Sequence, residues 1–435
     1  MEEILLKNCK LILDAVCLRK NKDILIREGK IEEIGEGLST SGISIDCKNL
    51  LVIPCFFNGH THSPMSLFRG IAEDLPLHKW LEEKVWPLEK RLNAEHMYIG
   101  AKFSAMEMLK SGFSGCADMY FNMDYVAKAF IELNFRGVLC EGIFDFFDKS
   151  ETDKKAKIAL DMHKRLISLN SKLIKSSFGP HATYTCSREL LEIIAEYSQE
   201  YNSLVQIHVA ETMEEQNQCI ERYGMREVEL LDKVGLCNER CVYAHGNWFS
   251  EKEYELMKKG KVAIVQNTIS NLKLASGSTA DLRRLINEGI RCCLGTDGPA
   301  SNNSLDPFEM MKFSSLLQKY MHKDPSVLSS KDIFRLATYE AYKIFYPEIK
   351  IGLIEKSYVA DLALYDLNEI RMKPLISDDG QHIINHLVYS CSGMKAKYVI
   401  VNGEISVFDY RLAKENEDEI IKKFEKAFED LIINF

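Results

Sequence analysis

Eight strand-like runs alternate with amphipathic helical segments through the middle of this 435-residue chain, and this alternation restricts the fold more than any other feature. Strands that alternate with helices form parallel βαβ units, and a count of eight favours a closed (β/α)8 barrel, or TIM barrel, over an open sheet. One helical segment, 188–200, follows Ser187, a residue type that caps helix N-termini. The predicted strands are 51–62, 112–120, 136–145, 173–181, 203–211, 241–247, 262–268 and 291–298.

The two ends of the chain share a texture that differs from the middle. Short apolar runs broken by charged turns fill the first fifty or so residues, and similar runs return at 361–365 and 397–404. Strands distant in sequence can share a sheet, so we expect one small β-sandwich from both ends, with two unrelated hairpins as the alternative. The expected division is 1–52 with 350–410 for the β-sandwich, 53–349 for the barrel and 411–435 for an amphipathic C-terminal helix.

Charge and cysteine usage narrow the partners and the compartment. A net charge of −9 argues against nucleic acid, because phosphate binding needs a concentrated basic surface, so a small molecule is the expected partner. The 13 cysteines are odd in number and form no CxxC pair, and no secretory signal is seen, which predicts a cytoplasmic protein. No apolar run approaches the roughly 20 residues needed to span a bilayer, so no membrane partner is expected.

Histidines and acids collect at the predicted carboxyl ends of the strands, where a barrel of this type places its chemistry. The first strand ends in His60 and His62, whose i, i+2 spacing puts both imidazoles on one side of a strand. Chance would scatter such residues through the helices, so their placement indicates a site. The other strand-end residues are His181, His208, Glu211, His245 and Asp297.

Four of these residues form a plausible metal-ligand set. His60, His62, His208 and Asp297 would supply three neutral nitrogens and one carboxylate, which suits Zn²⁺ or Fe²⁺ with a position left open for water. A second ion would need an anionic bridge at the end of the fourth strand, where the sequence has Gly-Pro-His181, so one metal is favoured. The alternatives are a core histidine at His208 and a turn residue at Asp297.

The remaining acid and histidine suit hydrolytic chemistry beside such an ion. A bound divalent ion lowers the pKa of water toward neutrality, and attack on an unsaturated carbon then needs a proton donor for the ring nitrogen. Glu211 is placed for that proton transfer, and His245 could orient the attacking water. Asp297 could accept the proton of the water as well as bind the metal. The alternative for Glu211 is a helix N-terminal acid without a catalytic role.

Several short motifs follow one another in order along nearly the whole chain. In this combination the chain resembles the amidohydrolase superfamily, in its cytosine deaminase and chlorohydrolase branch, and within that the methylthioadenosine/S-adenosylhomocysteine deaminases. The resemblance implies a TIM-barrel enzyme with one zinc or iron ion that hydrolyses the exocyclic amine of an adenine ring. The motifs are NGHTHSPM (58–65), FRG (68–70), DLPLHKWL (74–81), WPLE (86–89), GPHA (179–182), HVAE (208–211), SNLKLASG (270–277) and GTDGPASNN (295–303).

The resemblance also implies roles for individual residues. It repeats the assignment of the four metal ligands and makes Glu211 the proton shuttle and His245 the catalytic histidine. Glu89 is similar to a carboxylate that accepts hydrogen bonds from the ribose hydroxyls, His181 to a histidine near the ribose, and Trp80 to a hydrophobic wall. Glu89 as a helix-start residue and Trp80 as a core residue are the alternatives.

Two questions stay open at the sequence level. Relatives that accept homocysteine often carry an Arg where this chain has Glu141, which favours an uncharged 5′-substituent unless Lys154 or Lys155 substitutes. The same machinery could also act on a free base such as guanine, cytosine, a pterin or a triazine, and an inactive scaffold is a further alternative. By analogy with the family, a homodimer or homotetramer is expected.

Overall fold

The computed structural model describes residues 2–15, 17–71, 73–376 and 378–433. Within these residues the chain forms a parallel (β/α)8 barrel and a curved sheet built from both ends of the chain, so the predicted fold class is confirmed. The strands are β1 (Ile4–Asp14), β2 (Cys17–Arg27), β3 (Lys30–Gly35), β4 (Ile43–Asp46), β5 (Leu50–Pro54), β6 (Phe56–Thr61), β7 (Phe113–Tyr120), β8 (Arg136–Ile143), β9 (Ile174–Ser176), β10 (Gly179–Pro180), β11 (Val205–Val209), β12 (Cys241–His245), β13 (Ala263–Gln266), β14 (Arg291–Leu294), β15 (Leu362–Asp366), β16 (Tyr398–Val401), β17 (Glu404–Phe408) and β18 (Arg411–Leu412).

The barrel consists of β6 to β14, with β9 and β10 together forming its fourth strand. The barrel strands pair in parallel within two groups. One group contains β6, β7, β8, β9 and β10, and the other contains β11, β12, β13 and β14. Backbone hydrogen bonds join the two groups on both sides: the N–H of Gln206 donates to Phe178 O at 2.9 Å, and the N–H of Asp297 donates to His60 O at 2.9 Å. Each of the eight strand positions predicted from the sequence contains a strand of this barrel.

Helices follow the barrel strands and cover the outside of the barrel. In α6, Ser187 Oγ accepts the N–H of Leu190 at 3.1 Å as predicted, and Leu190, Leu191 and Ile194 form the buried face. The helices are α1 (Leu77–Lys79), α2 (Trp86–Glu89), α3 (Ala94–Ser111), α4 (Met123–Glu132), α5 (Lys149–Ser168), α6 (Arg188–Glu200), α7 (Met213–Tyr223), α8 (Glu227–Lys233), α9 (Glu251–Gly260), α10 (Thr268–Lys273), α11 (Leu282–Asn287), α12 (Pro299–Asn302), α13 (Pro307–His322), α14 (Ser330–Ala337), α15 (Tyr339–Phe345), α16 (Gly380–Tyr389) and α17 (Glu417–Ile432), with 3₁₀ turns at Ser63–Phe68 and Ile370–Met372 and a π-helical turn at Trp80–Val85.

The two ends of the chain share one sheet of nine strands within the described residues. Its order is β18-β17-β16-β15-β5-β1-β2-β3, with β4 beside β1. Antiparallel pairing of β5 with β15 joins the N-terminal part to the C-terminal part. Apolar residues from distant strands, such as Ile26 and Ile400, share one core, so the sheet folds over on itself as in a sandwich.

The strand predicted at 51–62 is two strands that belong to different sheets. The N–H of Cys55 donates to Asp361 O in the terminal sheet at 3.0 Å, and the next N–H, of Phe56, donates to Gly112 O in the barrel at 3.0 Å. Every residue from Leu50 to Thr61 is buried, so the apolar pattern is continuous across the change of sheet. The expected domain boundary, between residues 52 and 53, lies three residues before Cys55, because the apolar pattern itself does not mark the change.

The C-terminal part differs from the prediction in two places. The segment 350–410 contains α16, whose buried residues Ile383, Ile384, Leu387 and Val388 pack towards the barrel helices α13 and α14. The predicted helix at 411–435 begins only at Glu417, because Asn416 Oδ1 accepts the N–H of Asp418 at 2.9 Å and caps the helix there. Residues 411–412 instead form β18, and residues 434–435 lie outside the described part of the chain.

A buried ion pair ties the barrel to the terminal sheet. Arg136, at the start of β8, donates through Nε to Asp361 Oδ2 at 2.6 Å and through Nη2 to Asp361 Oδ1 at 3.0 Å. The N–H of Asn402 also donates to Asp361 Oδ1, at 2.7 Å. Both charged side chains are withdrawn from water and satisfied by this bidentate geometry.

Two glycines permit the close approach of the first and last barrel strands. A Cβ on Gly59 would lie 2.7 Å from Cys293 Sγ and 2.9 Å from Leu294 O. A Cβ on Gly295 would lie 2.4 Å from Asn267 Oδ1 and 2.9 Å from the backbone nitrogen of His60. Any larger residue at either position would push these strands apart.

In the described residues, no helix has the length and apolar character needed to cross a membrane.

Candidate active site

The polar residues predicted at the strand ends meet at the carboxyl-terminal end of the barrel. His60 lies in β6 and His62 directly after it, while His208 lies in β11 and His245 ends β12. Asp297 follows β14 by three residues. These five side chains are fully or largely buried.

The nitrogens and carboxylate oxygens of this cluster are within reach of a single ion. His62 Nε2 lies 3.3 Å from His208 Nε2 and 3.3 Å from Asp297 Oδ1. His60 Nε2 lies 3.7 Å from the same Asp297 oxygen. One potential ligand atom from each of His60, His62 and Asp297 falls within 4.8 Å of the others, and the same is true of His60, His208 and His245.

Backbone carbonyls hold two of the imidazoles by the ring nitrogen that faces away from the cluster. His62 Nδ1 donates to Met119 O at 2.6 Å, and His208 Nδ1 donates to His181 O at 2.8 Å. A neutral imidazole that donates from Nδ1 presents the lone pair of Nε2, which is the atom that each ring turns to the centre. Burial, with neighbouring imidazoles, lowers the pKa of His208 well below its usual value, which favours this neutral form. Burial would lower the pKa of His62, but the Asp297 carboxylate raises it to about 9, so a metal ion would displace a proton from His62 Nε2.

Asp297 is held by hydrogen bonds to its two carboxylate oxygens. Ser270 Oγ donates to Oδ2 at 2.6 Å, and the N–H of Gly298 donates to Oδ1 at 2.7 Å. Although burial alone would raise its pKa, the nearby imidazoles, His62 first among them, bring the pKa of Asp297 well below its usual value. The carboxylate is therefore ionised and oriented.

Glu211 and His245 form a second pair beside the cluster. Glu211 Oε2 lies 3.5 Å from His245 Nε2. Burial raises the pKa of Glu211, so its carboxyl group holds a proton at a higher pH than an exposed glutamate does. His245 Nδ1 donates to Asn271 Oδ1 at 2.8 Å, and Asn271 Nδ2 donates to Asn247 Oδ1 at 2.9 Å, which fixes the orientation of the imidazole.

The backbone at these strand ends adopts conformations that side chains rarely tolerate. Ala210, His245 and Asp297 have positive φ angles of 55°, 75° and 64°. Such residues cost of the order of 1–3 kcal/mol each and cluster at functional sites. Hydrogen bonds hold the backbone in these conformations. At Ala210, for example, the N–H donates to Glu227 Oε2 at 2.6 Å.

A cavity opens from the cluster and carries the three predicted substrate contacts. The space between its walls amounts to about 720 Å³ when the open solvent at its mouth is included. Glu89, His181 and Trp80 all lie on its wall, together with Glu211. The indole N–H of Trp80 is buried and has no hydrogen-bond partner among the described residues, so this wall offers an unused donor.

Glu89 is held in the cavity by a residue that sequence reasoning missed. Tyr120 OH, at the end of β7, donates to Glu89 Oε1 at 2.7 Å. Burial raises the pKa of Glu89, while this hydrogen bond opposes the rise. The second carboxylate oxygen has no hydrogen-bond partner among the described residues and remains available to a ligand.

Glu141, the residue that raised the question of the 5′-substituent, is used in the fold. It accepts the N–H of Asn122 at 3.0 Å and of Met123 at 3.2 Å, at the first turn of α4. Burial raises the pKa of Glu141 to about 7. Lys154, one suggested substitute for a missing Arg, pairs instead with Glu151 at 2.7 Å on the surface.

The structure brings every predicted site residue to one place. His60 lies beneath the cavity, and the others line it. Three functional neighbours were not assigned roles: Tyr120, Ser270 and Asn271. Tyr120 ends a predicted strand and could have been found by the same rule that found the histidines, whereas Ser270 and Asn271 lie within a quoted motif but act through other side chains.

The cluster fits a divalent metal ion on the evidence of its own side chains. His60 Nε2 is buried and has no hydrogen-bond partner in the part of the chain that the structure describes, which is costly unless an ion accepts its lone pair. Imidazole nitrogens with one carboxylate form a set typical of zinc and of iron(II). No Lys or Arg side chain is present in the described cavity lining.

Comparison with known proteins is consistent with this geometry. Residues 51–406 match the amidohydrolase family. A 5-methylthioadenosine/S-adenosylhomocysteine deaminase of Thermococcus onnurineus is 41% identical over 90% of this chain and 90% of its own length. A 5′-deoxyadenosine deaminase of Methanopyrus kandleri is 41% identical over 88% of this chain and 86% of its own length.

The fold also matches a solved structure with a metal. A zinc-bound adenosine deaminase of Xanthomonas campestris superposes with a TM-score of 0.91 at 25% identity, covering 99% of this chain and 98% of that one. The overlap over nearly the whole of both chains includes the terminal sheet as well as the barrel.

Proposed function

Because the chain belongs to the amidohydrolase family, we propose that it is a metal-dependent aminohydrolase that deaminates adenosine-type nucleosides. The substrates considered are 5′-methylthioadenosine, 5′-deoxyadenosine, S-adenosylhomocysteine and adenosine, and the products are the inosine-type nucleoside and ammonia. The observation that carries the proposal is the presence of the His/Asp cluster, Glu211 and the anchored Glu89 in one cavity. A ribose-binding carboxylate beside deamination machinery distinguishes a nucleoside from a free base.

In this proposal His60, His62, His208 and Asp297 hold one divalent ion, with Zn²⁺ favoured and Fe²⁺ as the alternative. The support is the convergence of their ligand atoms and the unpartnered His60 Nε2. A divalent ion bound there supplies the acidification of water that a hydrolase needs near neutral pH.

The chain's own residues then move the protons of the reaction. Glu211 donates its proton to N1 of the adenine ring as the oxygen of water bonds to C6. Asp297 takes one proton of that water and passes it to the amine, so that the C6–N bond breaks and ammonia leaves. The second proton of the water, now on the C6 hydroxyl, returns to Glu211 as the C6 carbonyl forms, which restores the acid. His245, held by Asn271, orients the water through Nε2. The raised pKa of Glu211 favours the protonated form that a proton donor needs, and the lowered pKa of Asp297 keeps its carboxylate ionised.

Glu89, Trp80 and His181 bind the nucleoside. The free oxygen of Glu89 accepts hydrogen bonds from the 2′- and 3′-hydroxyls, while Tyr120 holds the other oxygen. Trp80 forms a wall of the base pocket, and its unpartnered N–H can donate to an acceptor of the purine. His181 lies near the ribose, with Nδ1 held 2.9 Å from Thr185 Oγ1.

The test is a comparison of hydroxylated and dideoxy nucleosides. Metal-replete enzyme should release ammonia from adenosine with a kcat/KM about 10- to 100-fold higher than from 2′,3′-dideoxyadenosine, because the latter leaves the Glu89 carboxylate unpaired. In Glu89→Gln this preference should shrink. Turnover of guanine, cytosine, pterins or triazines with no turnover of nucleosides would contradict the proposal and support the free-base alternative.

The assembly and location remain predictions. A homodimer or homotetramer is proposed by analogy with the family, and light scattering of the purified chain would test it. A cytoplasmic location is proposed from the cysteine usage, and fractionation of cells would test it.

A further inference from the structure

The charge of the cavity lining restricts what a nucleoside can carry at its 5′ position. This argument rests on the proposed function. Among the described lining residues, the carboxyl-bearing side chains are Glu89, Glu211 and Asp297, and none is Lys or Arg. An anionic group of a ligand would therefore find no cationic partner on this wall.

Four aromatic residues, Trp86, Phe121, Phe144 and Phe146, form a group that we call the aromatic mouth. Trp86, Phe121 and Phe144 line the same cavity as Glu89 and Glu211. In the proposed binding mode C6 lies at Glu211 and the ribose hydroxyls at Glu89, which directs the 5′ carbon away from the metal ligands and towards this group.

The aromatic mouth is continuous with the anchor of the ribose. The rings of Tyr120 and Phe121 are 4.9 Å apart, and the rings of Phe121 and Phe144 are 6.1 Å apart. Phe144 also lies 4.7 Å from the ring of Phe146, which in turn lies 6.1 Å from Trp86. A small apolar 5′-substituent would contact this surface directly.

Two cations near the mouth, Lys155 and Arg222, lie over aromatic rings. Lys155 Nζ lies 5.7 Å from the centre of the Phe144 ring, and the Arg222 guanidinium lies 3.2 Å from the centre of the Phe147 ring. Neither cation lines the cavity. Glu141, near the end of β8, is an acid whose carboxylate accepts backbone N–H groups at the start of α4.

We infer that this site selects adenosine-type nucleosides with an uncharged 5′-substituent, and that Phe121 and Phe144 determine this specificity. The carboxylate of an S-adenosylhomocysteine molecule would leave water for an aromatic and acidic wall without a partner. An unpaired charge in such a place costs enough to lower kcat/KM by about 10- to 100-fold. A hydrogen, hydroxyl or methylthio group at the 5′ position meets no such cost.

The first test compares three thioethers with the wild-type enzyme. 5′-Butylthioadenosine matches the chain length of S-adenosylhomocysteine and lacks its charges, so it separates charge from size. We expect 5′-methylthioadenosine and 5′-butylthioadenosine to have similar kcat/KM values, and S-adenosylhomocysteine to have a value at least about 10-fold lower. Equal values for the two long thioethers would mean that the amino-acid end stays in water or finds a partner, and would overturn the inference.

The second test places a cation in the mouth. Phe121→Arg should raise the kcat/KM for S-adenosylhomocysteine relative to 5′-butylthioadenosine by about 10-fold, whereas the matched variant Phe121→Met should not. Lys155→Met should leave the ratio of the two substrates unchanged. A selective loss of S-adenosylhomocysteine turnover in Lys155→Met, or an unchanged ratio in Phe121→Arg, would overturn the inference. Absence of turnover with every nucleoside would instead refute the proposed function itself.

Discussion

At the scale of single residues, most polar side chains in this site have two polar atoms. The protein holds one of them by a hydrogen bond, and the other faces the site and determines the role of the residue. His62 and His208 each donate a hydrogen bond from Nδ1 to a backbone carbonyl and turn Nε2 to the centre. His60 Nε2 is buried and has no hydrogen-bond partner among the described residues. One carboxylate oxygen of Glu89 accepts a hydrogen bond from Tyr120 OH, and the other is available to a ligand. The sequence could indicate which residues gather, but not which of their atoms remain free, because that depends on contacts between distant strands.

Replacement of Glu211 tests its assignment as the acid. Glu211→Gln cannot transfer a proton, so kcat should fall by about 10²- to 10⁴-fold while metal content stays unchanged. Glu214→Gln, an exposed position at the start of the following helix, is the matched control and should keep full activity. Steady-state kinetics with metal analysis of both variants measure this, and a kcat close to wild type in Glu211→Gln would exclude the role.

Burial of Glu141 predicts a dependence of stability on pH. The pKa of Glu141 is raised to about 7 in the fold, above its value in the unfolded chain, so the folded state holds more protons between about pH 4.5 and pH 7. Its contribution should therefore be full below this window and fall as the pH rises through it. The loss is about 1.4 kcal/mol for each unit by which the pKa is displaced.

The variant Glu141→Gln has no charge to bury and should lack this dependence. The difference in free energy of unfolding between wild type and Glu141→Gln, measured by urea denaturation at pH 5 and pH 7.5, should move in favour of the variant at the higher pH. A difference that is independent of pH would show that Glu141 titrates normally.

At the scale of elements, the site depends on how closely the first and last barrel strands approach. The eight strands and their ends could be predicted from the sequence. Buried parallel strands are apolar runs, and the polar residues of the active site come at the carboxyl ends of these runs. The expected domain boundary lay between residues 52 and 53, but its exact position at Cys55 could not be predicted, because both halves of 51–62 are equally buried and differ only in their hydrogen-bond partners. The helix α16 was missed for a related reason, since its location among C-terminal strands follows from packing on α13 and α14.

A methyl group at Gly295 should disturb both the barrel closure and the metal site. Its Cβ would lie 2.4 Å from Asn267 Oδ1 and 2.9 Å from the backbone of His60, so Gly295→Ala should destabilise the protein by about 1–3 kcal/mol. Gly35→Ala is the control, because the nearest atoms to its Cβ would be those of flexible side chains, Leu38 Cδ2 at 3.3 Å and Glu33 Oε1 at 3.6 Å. Urea denaturation of the metal-free proteins measures the effect, and equal stability of the two variants would contradict this account of the closure.

At the scale of the whole molecule, the terminal sheet and the barrel are linked by side chains that no local pattern identifies. Arg136 and Asp361 are 225 positions apart and form a buried bidentate pair. The shared sheet was expected from the texture of the two ends, but this link was not, because a single Arg and a single Asp carry no pairing information in the sequence.

Removal of the Asp361 charge should destabilise the molecule strongly. Asp361→Asn keeps the shape but leaves the Arg136 charge buried without a partner, which should cost about 3–5 kcal/mol. Asp409→Asn, whose partner Lys397 lies 3.7 Å away at the surface, should cost less than about 1 kcal/mol. Unfolding midpoints in urea compare the two, and a small effect at Asp361 would show that the sheet and the barrel do not depend on this pair.

The most direct measurement for the whole account is a titration of metal-free protein with Zn²⁺ while ammonia release from 5′-methylthioadenosine is followed. The account predicts that activity rises in proportion to the metal added and levels off at one ion per chain, and that His208→Ala abolishes the rise. Activity that is independent of metal, or that levels off only at two ions per chain, would contradict it.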